Sequence, residues 1–412
     1  MINKKIFNHY SRLKKSEFLS LNKLEKKQIV LAKTLIEFAY KNSIFYKSYF
    51  KKNNFHPNDF TSLKDLKKIP ILEKKHLIEF NKSIHTGMDK KKLIFSETSG
   101  STGESLGFYR TKEWDAATRS AIFRGYSWHG IKPWDRNGYF WGYNISKPFK
   151  VKFLDFFLNR FRVFSYKKNE IKKFIKKLES SVFIEGYSSM IYEVAKIINR
   201  KKNKINYDLK MVKGTSEKIF DSYQPEIKKA FGRKMISEYG AAETGIIAFE
   251  CSNEKMHIVM ENVIVEEEKN EILVTNLWSK SFPIIRYRLG DYVKLSSQYN
   301  CKCGMKHKII EEVIGRIGQL IIGKKIQYPS LVLYYIFKNL AIDKNLEYKY
   351  QGFQNKVGEI IFFIEQRISE SEKKIIVKES RKYFNNDMDV IIKQNKSPRK
   401  YEGKLKDFIS LL

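Results

Sequence analysis

Leu93-Ile-Phe-Ser-Glu-Thr98-Ser-Gly-Ser-Thr-Gly103 runs from three apolar residues into a loop of hydroxyls and glycines. The apolar triplet reads as a short strand. Lys112–Gly125 then reads as a helix, with Trp114, Ala117, Ala121 and Ile122 on one face. A Gly/Ser/Thr loop between a strand and a helix suits an anion. Gly100 and Gly103 let the backbone come close to a ligand. Successive N–H groups, with the hydroxyls of Thr98, Ser99, Ser101 and Thr102, form a cradle for phosphate oxygens. The Gly-Lys-Ser/Thr ending of a P-loop is missing, which argues against that ATPase class. Taken alone, the loop reads equally well as a flexible polar turn.

Outward from this loop the chain alternates. Gly138–Tyr143, Ser181–Glu185 and Met211–Lys213 read as strands, and Glu170–Leu178, Met190–Ile198 and Tyr223–Phe231 as helices. That alternation predicts an α/β fold with a largely parallel sheet and helices on its faces. Residues 1–90 read mainly as helices, with Leu24, Ile29, Leu31, Leu35, Phe38 and Ala39 on one stripe. From His257 the pattern changes to short β-segments: His257–Met260, Asn262–Glu266, Glu271–Thr275 and Asp291–Leu295. A mixed α/β unit follows from about residue 315.

Four further segments carry chemistry. In Ile236-Ser-Glu-Tyr-Gly-Ala-Ala-Glu-Thr-Gly245, Tyr239 can stack on a base and Glu243 can hold Mg²⁺ near phosphates; an ordinary αβ turn is the alternative. In Pro283-Ile-Ile-Arg-Tyr-Arg-Leu-Gly-Asp291, an Asp after a Gly turn can accept two hydroxyl hydrogen bonds, or can simply sit in a surface turn. Val313-Ile-Gly-Arg-Ile-Gly-Gln319 has the two flanking glycines of a hinge. Ser397-Pro-Arg-Lys-Tyr-Glu-Gly-Lys404 ends on a Lys just after a Gly, a residue type normally solvated.

In this order and spacing the segments resemble the adenylate-forming superfamily of acyl-CoA synthetases, peptide-synthetase adenylation domains and luciferases. The likeness is strongest to its phenylacetate–CoA ligase-like branch, which includes relatives from surface-polysaccharide biosynthesis. Leu35–Phe45-Tyr46, Asp65-Leu-Lys-Lys-Ile-Pro-Ile-Leu-Glu-Lys, Gly186-Tyr-Ser-Ser and Gly214-Thr-Ser-Glu217 support that branch. The resemblance implies a large N-terminal domain with mixed sheets over 1–314. Within it lie a helical N-terminal segment, 1–90, and a β-rich subdomain, 250–312. A small mobile α+β domain, 315–412, would act as a lid. It also implies ATP-dependent, AMP-forming activation of a carboxylic acid, with transfer to the thiol of CoA or a carrier protein. Transfer to a glycan precursor, or a non-catalytic nucleotide-binding role, are the alternatives.

By that resemblance Thr98–Gly103 holds phosphate and Ser216 and Glu217 lie beside the adenine near Tyr239. Glu243 binds Mg²⁺ with Thr244 beside it, Asp291 holds the ribose hydroxyls, Arg316 lies at the hinge, and Lys404 enters during adenylation. Trp141, Tyr143, Tyr187 and Gly240 are expected along the acyl pocket, although the aromatics also fit a core. Two departures from the family pattern stand out: Gly318-Gln319 where an Asp is usual, and Glu104 after the loop.

Cysteine is sparse. Cys251, Cys301 and Cys303, with His257, make a tetrahedral zinc set, with His307 as a substitute ligand. Otherwise each Cys is a small buried hydrophobe. Some phenylacetate–CoA ligase-like proteins have a similar arrangement, which implies a structural metal. An odd count of three argues against a secreted disulfide scaffold. The 30 Phe and 24 Tyr exclude a disordered chain. The formal charge of +34 comes mostly from Lys spread along the whole chain, so no specific nucleic-acid partner is expected, and at most peripheral contact with an anionic membrane. No signal peptide or spanning segment is legible, and a cytoplasmic protein is expected.

Overall fold

The computed structural model describes residues 4–98, 106–140, 148–163, 168–200, 207–216, 219, 223–269, 271–313, 320–344, 346, 348, 350–394, 400–401, 404–405 and 408–412. It is α/β, as the alternation predicts, and separates into two compact units. The first joins Met1–Thr98, Leu106–Pro133 and Ile236–Arg316; the second joins Ser99–Ser105, Trp134–Met235 and Ile317–Leu412.

In the first unit, helices Lys4–Ser16, Leu21–Asn42 and Ile44–Lys52 precede a two-stranded antiparallel pair, Ile94–Glu97 with Gly107–Arg110. Helix Lys112–Trp128 follows; Thr111 caps it by accepting from the Trp114 N–H. The β-rich part is antiparallel, ordered Gly245–Glu250, Met256–Ile258, Ile309–Val313, Tyr287–Leu295, Glu271–Asn276 and Val263–Glu268. Strand Met235–Ala241 pairs with Gly245–Glu250. The core gathers Leu35, Tyr46, Phe108 and Trp114 against Ile247, Val263, Phe282 and Tyr287. The N-terminal helices are tied to the strands by buried polar bonds. Gln28 Nε2 donates to the Val263 carbonyl at 2.7 Å, and Tyr46 OH to that of Pro283 at 2.8 Å. Each bond satisfies a buried side-chain group that would otherwise be costly to desolvate.

In the second unit four parallel strands run in the order Arg160–Val163, Asn137–Phe140, Phe183–Tyr187 and Met211–Thr215. Helices Lys168–Leu178, Ser188–Asn199 and Gln224–Phe231 connect or flank them. The C-terminal part forms a separate sheet, Asp389–Gln394, Glu359–Ile364, Tyr350–Gln354 and Phe408–Ser410, with helices Leu331–Lys344 and Glu370–Phe384. Phe140, Ile175, Ile191 and Val212 share one apolar cluster with Tyr328, Ile336, Phe362 and Phe384. The described contacts therefore group the C-terminal part with 134–235.

Several boundaries differ from the sequence reading. The strand expected over 181–185 is Phe183–Tyr187, and the one over 211–213 extends to Thr215. The segment around Gly290 is not a turn. Strand Tyr287–Leu295 runs straight through it, with Gly290 at φ +89° where the pairing register to Glu271–Asn276 shifts. Glycine adopts this positive φ without strain, so it suits the bulge. Helix Pro148–Phe157 and strand Arg160–Val163 escaped the reading. Among the described residues no helix is long and apolar enough to cross a membrane.

Candidate functional site

In the first unit the two predicted carboxylates lie on neighbouring supports. Met235–Ala241 and Gly245–Glu250 form a tight hairpin whose turn carries Glu243 and Thr244. It is a β-hairpin and not an αβ turn, because Gly245 at φ +73° reverses the chain directly into the next strand. The turn is closed from inside. Thr244 Oγ1 accepts from the Ala241 N–H at 3.2 Å, and Asn276 Nδ2 donates to the Thr244 carbonyl at 2.9 Å. No room remains at Gly240, where a Cβ would lie 2.4 Å from the Gly245 carbonyl oxygen.

Glu243 is buried, and Tyr287 OH donates to its Oε1 at 3.1 Å. Tyr239 OH donates to Asp291 Oδ2 at 2.8 Å. The segment containing Gly290 thus supplies both Tyr287, which orients one carboxylate, and Asp291, which holds the predicted base-stacking tyrosine. Such bonds fix the rotamers on which hydroxyl or cation recognition depends. Neither Tyr287 nor Asn276 was singled out by sequence reasoning. A fully buried Tyr looks like any other core aromatic until its partner is known.

Thr98 closes the base of its loop: its N–H donates to the Leu106 carbonyl at 3.0 Å and its Oγ1 accepts from the Leu106 N–H at 2.9 Å. Ser99, Gly100, Ser101, Thr102 and Gly103 lie outside the described residues, as do Glu104, Trp141, Tyr143, Glu217, Arg316, Gly318 and Gln319.

In the second unit Ser216 follows strand Met211–Thr215 at φ +66°, a left-handed conformation uncommon for a residue with a Cβ. Strain of this kind concentrates at ligand sites. Tyr187 is buried in the core, with its hydroxyl 3.0 Å from that of Tyr335. Lys404 lies in a two-residue strand paired with Lys400–Tyr401. A buried row the sequence did not announce crosses the parallel sheet. Lys213 Nζ lies 2.9 Å from Glu185 Oε2, Arg160 Nη2 lies 3.1 Å from Glu185 Oε1, and the Arg160 guanidinium covers the Tyr139 ring at 3.9 Å.

The cysteines converge. The ligand atoms of Cys251, His257, Cys301 and Cys303 all lie within 4.8 Å of one another. Cys251 Sγ is 3.7 Å from Cys301 Sγ, and Cys303 Sγ is 3.3 Å from His257 Nε2. A zinc tetrahedron with Zn–S bonds of about 2.3 Å has edges of about 3.8 Å, so the donor set fits. Two turns present the thiols. In one the Cys251 carbonyl accepts from the Glu254 N–H at 2.9 Å; in the other the Cys301 carbonyl accepts from the Gly304 N–H at 3.0 Å. Burial pushes His257 down to about 4 and the Cys303 thiol up to about 12. The imidazole is therefore neutral and ready to ligate, while a metal must displace the thiol protons. His307, its ring centroid 6.4 Å from that of His257, is not one of the four. Its Nε2 lies 3.2 Å from Glu261 Oε1, a carboxylate that also receives Arg124 Nη1 at 2.7 Å and the Ser16 hydroxyl.

No family model matches the sequence. Protein CapK of Staphylococcus aureus is 26% identical over 291 residues, which cover 67% of this chain and 64% of that protein. The chain thus spans just under two thirds of the length of the curated relative it matches. Among solved structures, 2-hydroxyisobutyryl-CoA ligase with 2-HIB-AMP and CoA in the thioesterification state superimposes with a TM-score of 0.68 at 17% identity, covering 96% of this chain and 91% of that one. An open conformation of the same ligase gives 0.63 at 15% identity, over 95% and 93%. The expected fold is therefore present: this chain has the adenylate-forming enzyme fold along nearly its whole length.

Proposed function

We propose that this chain, which has the adenylate-forming fold, is an ATP-dependent, AMP-forming acid–thiol ligase of the phenylacetate–CoA ligase-like branch. The observation that carries the reading is the hairpin carboxylate Glu243, oriented by Tyr287 beside an Asp291–Tyr239 pair, in a fold shared end to end with a ligase bound to an acyl-AMP and CoA. Residues 315–412 act as the lid, and 1–314 carry the nucleotide.

The acid's carboxylate attacks the α-phosphorus of ATP, forming an acyl–O–P bond, and pyrophosphate leaves. Negative charge builds on the transferring group, so positioning and cations dominate. Thr98–Gly103 cradles the phosphates. Ser216 and Glu217 flank the adenine, Tyr239 covers it, and Asp291 accepts from the ribose hydroxyls. Lys404 and Arg316 place positive charge against the developing anion. Glu243, with Thr244 beside it, would hold Mg²⁺, which neutralises phosphate charge when bound. Thiol attack on the acyl-adenylate then releases AMP. The Cys251–His257–Cys301–Cys303 set would hold zinc as a staple of the β-rich segment. Four protein ligands leave no open coordination position, so the role is structural. The site of action is the cytoplasm.

Gly318-Gln319, where the family usually has an Asp, favours a second reading in which an amine or hydroxyl of a surface-polysaccharide precursor takes the acyl group. Incubating protein, ATP, an accepted acid and CoA separates the two. The thiol reading predicts an acyl-CoA thioester by mass spectrometry. Acid-dependent AMP release with no thioester would contradict it.

A further inference from the structure

Helix Pro148–Phe157 is inside out. Its carboxylate, Asp155, is turned into the second unit, where Arg162 Nε donates to it at 2.7 Å. Four of its described large apolar side chains are turned outward: Phe153 is 67% exposed, Leu154 49%, Phe156 78% and Phe157 58%. Phe153, Phe156 and Phe157 recur at i, i+3 and i+4, on one face of a helix. Their rings touch, with centroids 4.7 Å apart for Phe153–Phe157 and 5.7 Å for Phe156–Phe157, so the patch is continuous. Trp134, 58% exposed, adjoins the helix end, where Asn159 Nδ2 donates to its carbonyl at 3.2 Å. A contiguous apolar surface turned to water marks an interaction site.

The charge around this face selects its occupant. From Trp134 to Glu170 the sequence carries three carboxylates, Asp135, Asp155 and Glu170, against five lysines and three arginines, a net charge of +5. Arg162 already holds Asp155. An aromatic face on a stretch of chain this basic matches an anionic bilayer: the rings enter the headgroup boundary and the positive charge favours lipid phosphates. A second copy is disfavoured, because an interface on this face would bring two copies of the same basic stretch together in a chain of net charge +34. The helix has ten residues, roughly 15 Å, half of what spanning requires, so it lies on the surface. We infer that helix 148–157, with Trp134, is an interfacial anchor that seats the protein on a membrane leaflet rich in anionic lipid.

The test uses the full chain with vesicles of phosphatidylcholine alone and of phosphatidylcholine mixed with phosphatidylglycerol. Wild type is expected to sediment with the anionic vesicles, less so as salt rises, and weakly with the neutral ones. The triple change Phe153→Ser, Phe156→Ser and Phe157→Ser is expected to cut the partition about tenfold or more, with an unchanged far-UV spectrum. Should the triple variant misfold, the single Phe156→Ser change carries the same comparison with a smaller loss. The anchor is overturned if wild type ignores anionic vesicles. It is equally overturned if the folded variants bind them as well as wild type, or if light scattering shows a dimer that the variants abolish with no vesicle binding. The ligase reading stands or falls separately.

Discussion

Tyr287 OH is the group that fixes Glu243. A hydrogen bond to a charged partner is worth about 1.5–3 kcal/mol, so Tyr287→Phe should slow adenylate formation about tenfold or more while leaving the fold intact. Steady-state AMP release checks this; an unchanged rate would remove Tyr287 from the site. Glu261 gives the pH prediction. Burial alone would raise its carboxyl, but Arg124 and His307 outweigh burial and hold it well below 4.5. The unfolded chain therefore takes up the proton first as pH falls. The stabilisation is present above about pH 4.5 and is lost below it. Thermal melts from pH 7 to 3 should show this acid limb. Glu261→Gln should flatten it and cost about 3–5 kcal/mol at neutral pH, since Arg124 would be left buried without its carboxylate. Glu243 and Asp291 stand out in the sequence because they lie in an ordered set of motifs, three residues after Gly240 and directly after Gly290. Tyr287, Asn276 and Arg124 were not, because a buried polar residue shows its partner only in three dimensions.

At the scale of elements, glycine geometry sets the limits. Gly186, on strand Phe183–Tyr187, sits at φ +149°, and a Cβ there would lie 2.3 Å from the Phe140 carbonyl oxygen of the adjacent strand. Gly186→Ala should destabilise the second unit by about 3 kcal/mol or more, seen as a lower midpoint in urea; an unshifted midpoint would show that the strands can part. The two cysteine turns give a metal prediction. Purified protein should carry about one zinc per chain by elemental analysis. Cys301→Ser should lose it and melt several degrees lower; full-length protein with no zinc and the same melting point in the variant would discard the staple. The parallel strands were legible because apolar runs alternated with helical periodicity. The Gly290 bulge was not, since a glycine before an Asp writes the same letters for a turn and for a bulged strand. Helix 148–157 was missed because its pattern is inverted, with apolar residues on the wet face.

At the scale of the molecule, motif order carried the reading further than composition did. The formal charge of +34 names no partner by itself; the proposed anionic membrane rests on the exposed aromatic residues of helix 148–157 within a basic stretch of sequence. The chain interleaves its units, with 134–235 inserted between two parts of the first, which no boundary in composition announces. Activation of a carboxylate with ATP is read most directly by acid-dependent exchange of labelled pyrophosphate into ATP, which measures that half-reaction alone. With a panel of carboxylic acids, exchange is expected for at least one acid and should fall about a hundredfold or more in Glu243→Gln and Lys404→Ala. No exchange with any acid, or exchange that both variants retain, would contradict that activation.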